Sequence, residues 1–103
     1  MHITFVKKIT STGEACRKCA DVEQRLRDSG YWNSINAVLI ADQRAPNSAG
    51  NHLADAYGVD RAPFFVVEDD SGKISVYTVY FKFVAEVLKH LVRAQSTYET
   101  ACA

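Results

Sequence analysis

Two thiols stand three positions apart in Cys16-Arg17-Lys18-Cys19. At the head of a helix such a pair closes into a small disulfide ring and reopens, or it supplies part of a metal site. Disulfide exchange requires a thiolate at working pH. A free cysteine has a pKa of ~8.5, which a helix N-terminus and neighbouring cations lower. Cys16 is expected to have both, from the unpaired N–H groups of a first turn and from Arg17 and Lys18. Cys19, one turn inward on the apolar face, is expected to keep its proton until it attacks. A cationic spacer that stabilises the reduced, ionised pair would set its potential above about −270 mV.

A second landmark is Arg61-Ala62-Pro63, placed directly before the apolar run Phe64-Phe65-Val66-Val67. Proline lacks an N–H and adopts the cis form cheaply, so it marks a fixed strand entry. A cis bond after Ala62 would aim nearby backbone polar groups at an extended ligand beside the cysteines.

These residues must be positioned by elements, and the pattern supplies them in alternation. Ile3 to Ile9 reads as a strand. Thr10 to Ala15 is a polar loop around Gly13. A helix is expected from about Cys16 to Ser29, with Cys19, Val22 and Leu26 on its apolar face and Gly30 as its stop. Ser11-Thr12-Gly13-Glu14 has capping-box spacing, but Gly13 is a poor helix residue and a start near Ala15 is preferred. Ile35 to Ala41 contains the continuous run Ala37-Val38-Leu39-Ile40, which fits a strand covered on both faces. Ser48 or Asn47 caps a second helix carrying Leu53, Ala54 and Tyr57 and ending at Gly58. Phe64 to Glu68 is a third strand, and Asp69-Asp70-Ser71-Gly72 turns it into a fourth over Lys73 to Phe81. Val84, Val87, Leu88, Leu91 and Val92 follow helical spacing. The order β-α-β-α-β-β-α predicts an α/β fold: a four-stranded mixed sheet, its first pair parallel, with helices on both faces.

Length and charge narrow the function. The 103 residues suit one domain, expected over 1–95 with a tail over 96–103. Twelve basic side chains balance twelve acidic ones, which argues against nucleic acid, whose phosphates call for a basic excess. No apolar run approaches the ~18 residues of a bilayer span. The charges of the N-terminus follow its apolar residues, the reverse of a leader peptide, so the chain is expected in the cytoplasm. There a close cysteine pair is catalytic or metal-binding rather than a structural staple. His2, His52, His90 and Cys102 show no paired spacing that would complete a zinc site, and no metal ligand is assigned. Tyr31 and Trp32 read as packing residues, as do most of Tyr77, Tyr80, Phe81 and Phe83. Cys102 lies in the tail and reads as dispensable.

The Cys-x-x-Cys pair opening the first helix and the proline opening the third strand together resemble the thioredoxin superfamily. Ala56-Tyr57-Gly58-Val59 followed by Ala62-Pro63 is similar to the thioredoxin stretch leading to its cis-proline, and the resemblance spans roughly residues 3 to 94 in element order. It implies a thioredoxin-like fold and a thiol–disulfide oxidoreductase. Cys16 would be the nucleophile, Cys19 the resolving thiol, and Arg17, Lys18, Ala62 and Pro63 the substrate-binding positions. Exchange would need no bound cofactor. The partners would be protein disulfides and an electron donor, either a reductase or a small thiol. Four features depart from the family pattern. Arg17-Lys18 replaces the Gly-Pro or Pro-Tyr spacer, and Ala15 stands where a Trp precedes the motif. Thr10 lies near the place of the buried acid, and no Gly-Gly pair follows the third strand. The alternative is a non-catalytic thioredoxin-like binding module or a carrier sharing an iron–sulfur cluster between two copies.

Overall fold

In the computed structural model of the chain, residues 1–91 are described. The expected Val92 of the last helix, the 96–103 tail and Cys102 lie outside them. One four-stranded sheet runs in the order β2-β1-β3-β4, with β1 at His2–Ile9, β2 at Ala37–Asp42, β3 at Phe64–Glu68 and β4 at Ile74–Tyr77. β1 and β2 are parallel, in a register that sets Thr4 against Ala37 and Ile9 against Asp42. β3 is antiparallel to β1, with Val6 opposite Phe64, and β4 is antiparallel to β3.

The sheet divides two cores, because successive strand residues point to opposite faces. On one face Ile3, Phe5, Phe65 and Val67 meet Leu26 of helix α1 (Arg17–Asp28) together with Phe83, Val87 and Leu88 of the last helix. On the other face Val6, Ala41, Phe64 and Val66 meet Leu53 and Ala54 of helix α2 (Ala49–Tyr57). Helices therefore cover both faces of a mixed sheet, as the element order requires. Phe65 stacks on Phe83 with ring centroids 3.9 Å apart. Trp32 sits edge-on to Phe5 at 6.2 Å and carries the Arg27 guanidinium 4.2 Å above its own ring. Tyr31 and Trp32 thus pack on the core, Trp32 from a single 3₁₀ turn, Trp32–Ser34.

Two strand expectations need correction. β2 is the edge strand of the sheet, and it is not fully covered on both faces: Val38 is 39% exposed, while Leu39 and Ala41 pack in the core on the α2 side. The fourth strand stops at Tyr77 instead of continuing to Phe81. Val79 precedes helix α3 (Tyr80–Phe83), which leads directly into a π-helical turn, Val84–Leu88. Tyr80, Phe83 and Val87 fall at helical spacing and all reach the same core, so burial overrides the strand preference of the aromatic residues.

Local chemistry sets the remaining ends. The β3–β4 turn is held by the Asp69 carboxylate, which accepts from the Ser71 N–H and hydroxyl and from the Lys73 N–H. Ser48 precedes α2 as expected, but its hydroxyl does not cap that helix; it accepts from the Asp42 N–H at 3.0 Å and ties α2 to β2. Gly50 faces the Ile40–Ala41 backbone so closely that a Cβ there would overlap main-chain atoms. No described helix is long and apolar enough to cross a membrane.

Candidate functional site

The site lies where β1 ends. After Ile9 the chain makes a turn in which the Gly13 N–H donates to the Thr10 carbonyl at 2.9 Å, with Gly13 at φ 85°. An L side chain would strain that backbone. The same turn uses up the Ser11–Glu14 stretch, so no helix starts there. Ala15 then bridges back to Ile9, and the Cys16 N–H donates to the Lys8 carbonyl at 3.0 Å. α1 begins at Arg17, with Cys16 as the extended residue ahead of it (φ −59°, ψ 127°).

That position belongs by habit to Ser, Thr, Asp or Asn, whose side-chain oxygen accepts from the unpaired N–H groups of the first turn. Cys16 stands in that position without making a side-chain cap bond. Burial opposes ionisation of this thiol. It is outweighed by a hydrogen bond from the Cys19 thiol, by the backbone N–H groups of Cys19 and Lys18, and by the Lys8 ammonium, so the Cys16 pKa is lowered.

Cys19 is its opposite. It is 1% exposed, and its Sγ accepts from the Lys8 N–H at 3.4 Å. Burial pushes its pKa up to about 12, against the Lys8 hydrogen bond and with help from Cys16. Both thiols are free. One sulfur thus faces first-turn donors at the surface while its neighbour is enclosed and protonated.

The peptide unit of Lys8 holds both cysteines, with its carbonyl on Cys16 and its N–H on Cys19. Its ammonium does what was expected of the spacer: the charges of Arg17 and Lys18 are not among the causes acting on Cys16, and Lys18 acts through its backbone. Lys8 was missed in the sequence. The available signal was its place at the end of the strand that feeds the motif. Its neighbour Lys7 lies on the α1 face and pairs with Glu23 at 3.2 Å; Glu23 in turn meets Arg27 at 3.5 Å.

The proline segment converges on the same end of the sheet. The Val6–Phe64 register sets Ala62 and Pro63 beside Lys7 and Lys8. The Ala62–Pro63 peptide bond is cis. Two openings flank it. One, of about 320 Å³, is lined by Lys18, Val22, Arg61, Ala62, Pro63 and the β4–α3 junction. The other, of about 200 Å³ on the α2 side, is lined by Lys8, Asn51, Asp55 and Arg61 among others. The structure therefore gathers Lys18, Ala62 and Pro63 around one opening, which reaches the motif through Lys18, whereas Arg17, Cys16 and Cys19 line neither. Among the described residues no three His, Cys, Asp or Glu side chains form a metal-binding group.

Compared with known proteins, the chain matches no family model, no curated sequence and no solved structure.

Proposed function

We propose that this chain is a thioredoxin-like thiol–disulfide oxidoreductase acting on protein disulfides in the cytoplasm. The single observation carrying this reading is the asymmetry of the pair: Cys16 is activated at a helix start, and Cys19 is buried and protonated one turn inward. The sheet order and the proline segment beside the motif are compatible with the thioredoxin resemblance.

The Cys16 thiolate attacks one sulfur of a substrate disulfide. The S–S bond breaks, a mixed disulfide forms on Cys16, and the first substrate thiolate leaves and takes a proton. Cys19 then gives up its proton and its thiolate attacks Cys16 Sγ, which closes the internal disulfide and expels the second substrate thiol. Two electrons have passed from the cysteine pair to the substrate. A reductase dithiol or two equivalents of a small thiol return them by the reverse exchange. The first step suits a partly accessible, low-pKa sulfur, and the second suits a sulfur that ionises only once the mixed disulfide stands beside it. Ala62 and Pro63 offer backbone to an extended substrate beside Cys16.

The experiment is disulfide reduction in an insulin assay with dithiothreitol as donor, alongside trapping with Cys19→Ser. Turnover is expected in the wild type and is lost in Cys16→Ser, and the Cys19→Ser protein accumulates mixed disulfides on Cys16 that mass spectrometry identifies. Absence of turnover in the wild type, or stoichiometric iron and colour after anaerobic purification, would replace this reading with the binding-module or cluster-carrier alternative.

A further inference from the structure

The larger opening beside the motif has a composition that the exchange chemistry does not explain. Its two ionic side chains are Lys18 and Arg61, with no acid among the lining residues. Arg61 has only the weak pairing of its neighbour Asp60, at 3.7 Å and largely in water. Lys18 makes no ion pair among the described residues. The same opening is walled by Val79, 53% exposed, and Phe81, 73% exposed, the two most exposed large apolar side chains among the described residues.

Phe81 is not held outward by any packing need. Tyr80 and Phe83 of the same short helix reach the core, while Phe81 lies outside it with its ring edge-on to Tyr80 at 6.0 Å. A polar residue at this solvent-facing position would fold as well. An exposed phenyl next to an exposed valine, rimmed by Lys18 and the weakly paired Arg61, marks an interaction surface. It fits an occupant that brings an apolar side chain for the wall and an acid for the rim.

We propose that this groove docks the polypeptide flanking a substrate disulfide, and that it selects segments carrying an aromatic or large aliphatic residue and an acidic residue close to the reactive cysteine. The proposal rests on the oxidoreductase reading and deepens it by naming the substrate class. Such a segment lies across Pro63 with its apolar side chain against Val79 and Phe81, and its carboxylate meets Lys18 and Arg61. The groove adds no chemical step; it raises the encounter and residence of one kind of disulfide.

The test uses the pre-reduced full chain in single-turnover reactions, so that no other reductant is present. The probes are synthetic peptides whose one cysteine is a mixed disulfide with 2-mercaptoethanol and whose flanking residues are Phe and Glu, Phe and Lys, or Ser and Glu. Each second-order rate constant is divided by that of the same peptide with dithiothreitol, which removes intrinsic reactivity. The wild type is expected to favour the Phe–Glu peptide over Phe–Lys by about five-fold and over Ser–Glu by about ten-fold. Arg61→Glu should reverse the charge preference, and Phe81→Ser should abolish the apolar one; both readouts are ratios within one variant. Equal rates for the three peptides, together with normal reduction of bis(2-hydroxyethyl) disulfide, would overturn the groove and leave the oxidoreductase reading standing. No reduction of any disulfide would overturn both. A self-associated protein that dissociates on Phe81→Ser would assign the groove to a second copy and overturn the proposal.

Discussion

If the two sulfurs differ as the structure indicates, a thiol reagent must tell them apart by orders of magnitude. The perturbation is iodoacetamide at pH 7 under reducing, non-denaturing conditions. A thiol whose pKa is about 12 is ionised to roughly one part in 10⁵ at pH 7, whereas a free cysteine at ~8.5 is ionised to about 3%. Ionisation alone therefore slows Cys19 about 3,000-fold relative to a free thiol, and its burial at 1% exposure adds a steric barrier. Cys16 reacts faster than a free cysteine in proportion to its thiolate fraction, offset by the lower nucleophilicity of a lower-pKa sulfur. Once Cys16 carries the alkyl group, its contribution to the rise at Cys19 is gone, but burial, the largest cause, remains.

The assay is time-resolved alkylation with peptide mapping, which separates Cys16 from Cys19 and from Cys102. Within the motif the expected record is an adduct on Cys16 alone, a pH midpoint below that of the same cysteine in the unfolded chain, and no Cys19 adduct until denaturant is added. Alkylation of Cys19 in the folded protein at a rate near that of a free thiol would refute the burial argument. A Cys16 midpoint at or above that of the unfolded chain would refute the helix-start argument, and the proposed nucleophile with it.

Lys8→Gln keeps the peptide unit that holds both cysteines and removes only the charge. One partly screened cation beside a helix-start anion is worth about 0.5–1 kcal/mol, so Cys16 alkylation at pH 7 should slow ~2- to 5-fold and the potential of the pair should fall by about 10–20 mV. Lys8→Arg should restore both; an equal effect from Lys18→Gln would return the tuning role to the spacer. Gly50→Ala gains helix propensity of about 1 kcal/mol, but its Cβ overlaps the Ile40 and Ala41 backbone, and overpacking costs about 1–3 kcal/mol or more where main chain must move. Thermal unfolding should show a lower Tm, and an unchanged or higher one would mean that α2 does not press on β2 as described. The raised pKa of Cys19 also links to stability. In the folded chain Cys19 keeps its proton up to about pH 12, while the unfolded chain loses it from about pH 9, so unfolding releases a proton across that window. This contribution is intact below pH 9 and is lost at about 1.4 kcal/mol per pH unit as pH rises toward 12. Denaturant titrations of the reduced wild type and Cys19→Ala should therefore converge as pH rises, and parallel curves would contradict the buried protonated thiol.

How much of this was readable in the chain depends on the range of the interaction. Phe64–Glu68 was legible to the residue, because a proline fixes one end, a turn-forming Asp69-Asp70-Ser71-Gly72 fixes the other, and the apolar run between is short. α1 was legible through its 3.6-residue spacing and Gly30, and its start was decided by Gly13, a local feature. The aromatic stretch from Tyr77 to Phe83 was not. Its residue types favour strand, and what decides for helix is burial against the sheet face that carries Phe65, where Phe83 stacks and Tyr80 and Val87 also pack. β2 was misjudged for a related reason: an apolar run reports burial but cannot say whether the neighbour on its far side exists.

The same distinction governs the site. Cys16 and Cys19 announce themselves by spacing, and their inequality follows from periodicity alone, since one is the last extended residue and the other is one turn inside. What tunes them is not adjacent in sequence. Lys8 reaches both cysteines from β1: its carbonyl accepts from the Cys16 main-chain N–H and its N–H donates to Cys19 Sγ, groups that any non-proline residue would supply, while its ammonium, which few would supply, favours the Cys16 thiolate. The holding function is therefore insensitive to side-chain identity and invisible in the sequence, whereas the tuning function rests wholly on it. Substitutions at position 8 should accordingly separate the two: neutral side chains shift the reactivity of Cys16 while leaving Cys19 enclosed. Proline, which deletes the N–H that meets Cys19 Sγ, should instead loosen Cys19. The motif's spacer, prominent in the sequence, lines the larger opening through Lys18. Under the docking proposal its charge would bear on which disulfides arrive, since the charges of Arg17 and Lys18 are not among the causes that lower the Cys16 pKa.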